Sequence, residues 1–266
     1  LDTTGKSLPL LGMRTVLILR SREARAYAAD LKGAKASDGK KNVLIFGQGR
    51  AGTTLFEQLM CSTGQFVGYH EVLNTVTREV LWPIRFVRGL GRWVPGENVI
   101  LHVKPEHLGG ARRRPVDERA FLEAMHDDGW TIVHIRRADI IRQMLSKYIA
   151  KARGAYHKTD EQEERINLQI PPQEFLEQYE RRTGLLQKED NILEGLQHLK
   201  ISYESDLESP ERHQRTIDEI LDQLGLERRP VSTALKKITT APAKDYLSNL
   251  NELREALTAR GVEWTL

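Results

Sequence analysis

A run of four apolar residues, Val43-Leu44-Ile45-Phe46, stops at Gly47. A glycine-rich turn, Gly47-Gln48-Gly49-Arg50-Ala51-Gly52, then carries the chain into Thr53–Ser62. A short apolar run bounded by glycine reads as a strand buried on both faces, as in a parallel sheet. Across Thr53–Ser62 the apolar residues repeat with helical spacing, Leu55 with Leu59 and Phe56 with Met60 at i,i+4. Strand, tight turn and helix in this order open a βα unit, and such a unit requires further parallel strands beside the first.

The rest of the chain supplies them. Strands are predicted at 99–103, 131–135 and 199–203, the first stopped by Lys104-Pro105. Helices are predicted at 117–126, 139–153, 172–186, 210–224 and 249–260, with Gly225 ending the fourth. Residues 156–170 are polar and read as a loop. Strands alternate with helices, so the expected fold is α/β with a mainly parallel central sheet covered on both faces. The domain is expected at 41–266. Residues 1–40 read as an N-terminal arm, helix-prone at 21–32 and linker-like at 33–41, serving either as a homodimer contact or as a remnant outside the domain.

The turn itself has the chemistry of an anion site. Backbone N–H groups of a glycine-rich turn converge on one point, and the following helix N-terminus adds partial positive charge. Thr53 and Thr54 supply hydroxyls, and Arg50 supplies a fixed charge on a planar fork of donors. Gly47 and Gly52 keep the glycine spacing of the Walker pattern, but Thr53 stands where its lysine belongs. That lysine reaches the β/γ-phosphates of a nucleoside triphosphate, so an ATPase or kinase is disfavoured. A second segment, His134-Ile135-Arg136-Arg137-Ala138-Asp139 running to Ser146, sets an arginine fork and a hydroxyl at another strand-to-helix junction, which suits a phosphate.

The core Gly49-Arg50-Ala51-Gly52-Thr53-Thr54 resembles the 5′-phosphosulfate loop of sulfotransferases that use 3′-phosphoadenosine 5′-phosphosulfate (PAPS). The likeness is to their bacterial and carbohydrate-directed branches, where Arg stands in place of the cytosolic Lys. It covers residues 42–266 and implies a P-loop-like three-layer α/β fold. It implies that Gly47, Gln48, Gly49, Arg50, Ala51, Gly52, Thr53 and Thr54 hold the 5′-phosphosulfate, with Arg50 near the bridging oxygen. The family binds the 3′-phosphate with an Arg at a strand end and a Ser about two turns into the next helix. Arg137 and Ser146 match this at a spacing of nine, as in the bacterial glycan branch, with Arg136 as the alternative to Arg137. Tyr203, in Ser202-Tyr203-Glu204-Ser205-Asp206-Leu207, resembles the family's Tyr-Glu-Asp-Leu element near the nucleotide. Lys237 and Thr239 lie in a segment similar to the tail of nodulation-factor sulfotransferases and are expected to close over the nucleotide.

Sulfuryl transfer needs a base for the acceptor hydroxyl and positive charge for the leaving 5′-phosphate. By resemblance to trehalose and nodulation-factor sulfotransferases, Glu71 in Gly68-Tyr69-His70-Glu71-Val72-Leu73 is the base. His70 is one alternative. His102 is another, in Leu101-His102-Val103-Lys104-Pro105, a segment similar to the cytosolic Lys-Thr-His-Leu-Pro element with its order changed. Lys104 is a second cation for the sulfuryl group or acceptor. No metal is expected, and no H-E-x-x-H set occurs. His107, His126, His134 and His157 have no motif support. Arg112-Arg113-Arg114 reads as a solvated basic loop, and the basic and aromatic run 82–93 could meet a sugar or acidic acceptor.

The expected function is therefore sulfuryl transfer from PAPS to a hydroxyl of a glycan, glycolipid or related small acceptor. A degenerate module that binds nucleotide or anionic glycan is the alternative, with a P-loop kinase behind it. Charge balance, 40 Lys+Arg against 37 Asp+Glu, gives no reason to expect nucleic acid or a membrane surface as partner. The single cysteine, Cys61, rules out an internal disulfide and fits a reducing cytoplasm. No apolar run has membrane length. The expected compartment is the cytoplasm, with a lumen as the alternative if an anchor precedes Leu1.

Overall fold

The computed structural model describes residues 13–33, 39–76, 79–94, 96–110, 112–154, 166–236 and 242–264. Among these, five strands form one all-parallel sheet: β1 (Val43–Phe46), β2 (Phe66–Gly68), β3 (Asn98–Val103), β4 (Thr131–Arg136) and β5 (Leu199–Ser202). Their order is β2-β3-β1-β4-β5. The apolar run at 43–46 is the central strand, with Val43 level with Ile100 on one side and Thr131 on the other. All four of its residues are fully buried, which is why it carries no polar alternation. After β1 the chain travels outward to β2, returns to β3, and only then crosses to β4 and β5. The carboxyl end of β1 is thus where the chain's directions diverge, the position at which open parallel sheets leave a crevice for ligands.

Helices cover both faces, as the sequence predicts. On one face Val43, Ile45, Ile100, Val133 and Ile135 pack on α2 (Thr53–Ser62) and α8 (Pro210–Leu224). On the other, Leu44, Phe46, Leu101 and Val103 pack on α3 (Pro83–Trp93), α5 (Glu118–Asp127) and Trp130. A third cluster joins α6 (Ile140–Ala152), α7 (Pro172–Leu193) and α9 (Leu250–Thr258) through Met144, Phe175, Leu253 and Leu257. A one-turn helix, α4 (Pro105–Leu108), follows β3. Gly225 ends α8 in the left-handed conformation at φ 68.

The pattern missed several features. Strand β2 has three residues, too few for a period to show. Helix α3 hides in the basic and aromatic run because Gly89 and Gly91 interrupt its pattern, yet both are needed for packing. A Cβ on Gly89 would lie 1.9 Å from the Ala26 carbonyl oxygen of α1 (Met13–Leu31), and one on Gly91 would lie 2.7 Å from the Trp130 ring. Helix α1 packs along α3, with Ala26 and Asp30 buried and Asp30 held by Arg88 and Arg92. Helix α7 runs on to Leu193 rather than ending at 186. Arg112 is not solvated: it is buried and donates to the carbonyls of His107 and Val80. Buried loop carbonyls need donors, and a long arginine reaches them. Among the described residues, no helix is long and apolar enough to cross a membrane.

Candidate functional site

The glycine-rich turn lies between β1 and α2 at the crevice. Gly47 has no room for a side chain, since a Cβ would stand 2.4 Å from the Ile135 carbonyl oxygen of β4. Gly52 has φ 99, and its Cβ would stand 2.8 Å from the Tyr203 ring. Arg50 itself adopts φ 70, a costly conformation for a residue with a side chain. No side chain caps the first turn of α2, so its N-terminus keeps its affinity for an anion. Thr53 is buried at that first turn.

Neighbouring helices clamp the turn from behind. Gln143 of α6 donates to the Gly49 carbonyl at 3.0 Å. Arg182 of α7 donates to the same carbonyl and to the Gln48 side-chain oxygen, each at 3.2 Å, and Gln48 returns a bond to the Arg182 carbonyl at 3.3 Å. Burial lowers the Arg182 pKa from its usual value. Gln143 sits three residues before Ser146 on the same face of α6, so its part was readable from the helical period. Arg182 gave no signal, because nothing local links α7 to the turn.

On one flank the expected 3′-phosphate residues meet the turn. Arg50 donates from Nε and Nη2 to Ser146 Oγ at 3.1 and 3.0 Å. Arg137, buried, donates to the Arg50 carbonyl at 3.4 Å and lies over the Tyr203 ring, 4.4 Å from its centroid. Its Nε is buried, makes no hydrogen bond among the described residues and lies 3.7 Å from Glu204 Oε1. Burial lowers the Arg137 pKa from its usual value and raises that of Tyr203. Glu204 accepts from the N–H groups of Ala138 and Asp139 at 3.0 and 3.2 Å, fixing the start of α6. Arg136 turns away and pairs with Asp190 at 3.1 Å. Lys237, Thr239 and His157 lie outside the described residues.

On the other flank is a cluster of carboxylates, histidines and a lysine. Lys104 passes along the turn, its Cε 3.4 Å from where a Gly49 Cβ would be, and its Nζ lies 2.6 Å from Glu71 Oε1. Asn74 donates to Glu71 Oε2 at 2.9 Å. His107 Nδ1 accepts from the Lys104 N–H at 3.2 Å, which leaves the ring proton on Nε2, 3.5 Å from Glu71 Oε2. Burial alone would raise the Glu71 pKa, but His107 and Lys104 outweigh it and hold the carboxyl well below the usual range. Behind this group, His70 Nδ1 and His102 Nε2 lie 2.8 and 2.9 Å from one oxygen of Glu57 on α2. Burial opposes ionisation of Glu57 too, yet His102 and His70 bring its pKa down to about 2. The half-buried Cys61 thiol is pushed up to about 12 by burial and by Glu57. Glu57 carried no motif in the sequence, and His107 was set aside for want of one. A glutamate amid Phe56, Leu59 and Met60 was the available sign for the first.

The turn, Arg50, Arg137, Ser146, Tyr203, Lys104 and Glu71 thus share one edge of the sheet. A cleft of about 700 Å³ lies apart from the turn, between β5 and the end of α7, with His134, Asp190, His198 and Lys200 in its wall. Comparison with protein-family models and with curated proteins returns no match.

Proposed function

We propose that the chain is a PAPS-dependent sulfotransferase acting on a hydroxyl of a glycan, a glycolipid or a related small acceptor. The observation that carries this reading is the convergence at the carboxyl end of β1. A capless helix N-terminus and Arg50 sit between the buried Arg137 on one side and a lysine–carboxylate pair on the other. A donor carrying a 5′-phosphosulfate and a 3′-phosphate matches these features in sign and in number. The turn, residues 47–54, would take the phosphosulfate, and Arg137 with Ser146 the 3′-phosphate. Tyr203 backs Arg137, and Arg50, beside Ser146, spans the two ends.

In the proposed reaction Glu71 accepts the proton of the acceptor hydroxyl, whose oxygen forms a bond to sulfur. The bond from sulfur to the bridging oxygen breaks, and 3′-phosphoadenosine 5′-phosphate leaves. Arg50, Lys104 and the N–H groups of α2 offset the charge that grows on the leaving phosphate. His102 is the weaker candidate for the base, because it is 2% exposed and Glu71 lies between it and Lys104. The lone Cys61 favours a reducing, cytoplasmic setting.

Calorimetry with 3′-phosphoadenosine 5′-phosphate, ADP, and ATP with Mg²⁺ tests the donor site. The 3′-phosphorylated nucleotide is expected to bind at least ~10-fold tighter than ADP, about 1.4 kcal/mol. Tighter binding of ATP with Mg²⁺ would refute the reading. Labelled sulfate transfer to a panel of sugar hydroxyls then tests turnover, with Glu71→Gln expected to abolish transfer and keep nucleotide binding. Nucleotide binding without transfer to any acceptor would favour the degenerate module instead.

A further inference from the structure

Glu57 lies on α2 with its carboxylate in the interior, 1% exposed. A buried carboxylate must be compensated. His70 does so twice, placing its backbone N–H 2.8 Å from Oε1 and its ring Nδ1 2.8 Å from Oε2. To reach both oxygens His70 adopts φ 52, which costs on the order of 1 kcal/mol for a residue with a side chain. Gly68 makes room for the carboxylate, since a Cβ there would lie 2.8 Å from Glu57 Oε1.

His102 is the unexplained member. It projects from β3, is 2% exposed, and neither of its ring nitrogens makes a hydrogen bond among the described residues. Nε2 lies 2.9 Å from Glu57 Oε2, close enough for a hydrogen bond but without its directionality. Nδ1 lies 4.0 Å from Glu71 Oε1. Nε2 thus has an ionic contact without a well-formed hydrogen bond and Nδ1 has no hydrogen bond among the described residues, whereas buried polar groups in folded proteins are almost always hydrogen-bonded, which points to a further partner such as an ion.

We propose that Glu57 Oε2, His70 Nδ1 and His102 Nε2 bind a divalent transition-metal ion of the zinc class. These three atoms lie within 4.8 Å of one another. Bonds of about 2.0–2.1 Å in a tetrahedral site set ligand atoms roughly 3.4 Å apart. The contacts of 2.8 and 2.9 Å need to open by about half an ångström, the first at the exposed His70 side chain and the second by a shift between the buried Glu57 and His102 side chains. One carboxylate oxygen with two imidazole nitrogens suits zinc and its neighbours, whereas Mg²⁺ and Ca²⁺ favour oxygen sets. The His70 side chain is 69% exposed, so an ion has a path in and water a fourth position. The second nitrogen of His102 lies 4.0 Å from Glu71 Oε1, beyond hydrogen-bond reach, and would have to close by about 1 Å to be oriented by that carboxylate. The site stands independently of the sulfotransferase reading.

The test is titration of the chelator-treated full chain with Co²⁺, read by visible absorption, followed by competition with Zn²⁺ and Mg²⁺. One equivalent of Co²⁺ is expected to give the bands of a four-coordinate site, displaced by stoichiometric Zn²⁺ and unaffected by excess Mg²⁺. His70→Ala, on the exposed side, is expected to weaken Co²⁺ at least ~10-fold while the metal-free variant keeps the wild-type circular dichroism. Glu57→Gln is expected to shift affinity in the same direction. Absence of the bands overturns the proposal, as does unchanged affinity in His70→Ala. A thiolate-to-cobalt charge-transfer band also overturns it, because the ion would then belong to Cys61.

Discussion

Lys104 and Glu71 form an ion pair at 2.6 Å, and the lysine stem reaches that pair by running alongside Gly49 of the phosphate turn. The one cation therefore touches both halves of the proposed reaction, the base and the donor loop. A bound phosphosulfate would compete with Glu71 for the ammonium and leave the carboxylate facing the acceptor. Lys104→Ala should then reduce transfer by ~10²–10³-fold, in the range seen when a charge-stabilising donor is removed. The affinity for 3′-phosphoadenosine 5′-phosphate, which lacks the sulfuryl group, should change by less than ~10-fold, about 1.4 kcal/mol. Transfer rates and calorimetry on the same preparation separate the two effects. An equal loss in both would make Lys104 a plain phosphate ligand.

Arg137 is tested by discrimination rather than by affinity alone. Its guanidinium is buried, set between the Arg50 carbonyl, the Tyr203 ring and Glu204. Arg137→Ala should weaken the 3′-phosphorylated nucleotide by about 1.5–3 kcal/mol, the worth of hydrogen bonds to a charged group, and leave ADP nearly unchanged. Loss of the contact over Tyr203 should also lower stability by about 0.5–2 kcal/mol. Parallel loss for both nucleotides would place Arg137 away from the 3′-phosphate.

Gly52 and Gly96 make a matched pair for measuring the strain in the turn. Both lie in the left-handed region, at φ 99 and φ 72. A Cβ on Gly96 meets nothing within 4 Å, whereas one on Gly52 meets Tyr203 at 2.8 Å and Leu207 at 3.2 Å. Gly96→Ala should cost about 1 kcal/mol from the backbone alone. Gly52→Ala should cost at least ~1 kcal/mol more, from overpacking against the Tyr203 ring. Urea unfolding of the two variants gives the difference. Equal costs would mean that Tyr203 yields freely.

These contacts show which parts of the molecule were legible in the sequence. The run 43–46, the turn after it and the helical spacing at 53–62 announced the central βα unit, because a doubly buried strand and a tight turn each leave a local signature. Arg50, Arg137, Ser146, Lys104, Glu71 and Tyr203 were all singled out, and the fold brings them to one edge of the sheet. What stayed hidden depends on contacts distant in sequence. Arg182 is 133 residues from the Gly49 carbonyl that it holds. The match of Glu57 to His70 and His102 exists only once β2 and β3 lie side by side. Helix α3 was obscured because Gly89 and Gly91 weaken helical propensity while serving packing against α1 and Trp130.

Glu189 gives a stability prediction independent of function. It lies on α7, 1% exposed, with Oε2 at 3.3 Å from His134 Nε2 and Oε1 without a partner among the described residues. Burial raises its pKa; His134 and Gln48 oppose the rise, and the negative charge of Glu106 adds to it. A carboxyl whose pKa is raised on folding binds its proton more tightly in the native state. Its contribution is fully present below the unfolded value, about 4.3, and is lost as pH rises from there through the folded value. Glutamine resembles the protonated acid in shape and carries no charge. Glu189→Gln should therefore be nearly neutral at pH 4 and should stabilise the protein relative to wild type at pH 7. Urea unfolding of both proteins at the two pH values measures this directly. A difference that stays flat with pH, or that favours wild type more at pH 7 than at pH 4, would show that His134 supports an ionised Glu189 well enough to cancel the cost of burying it.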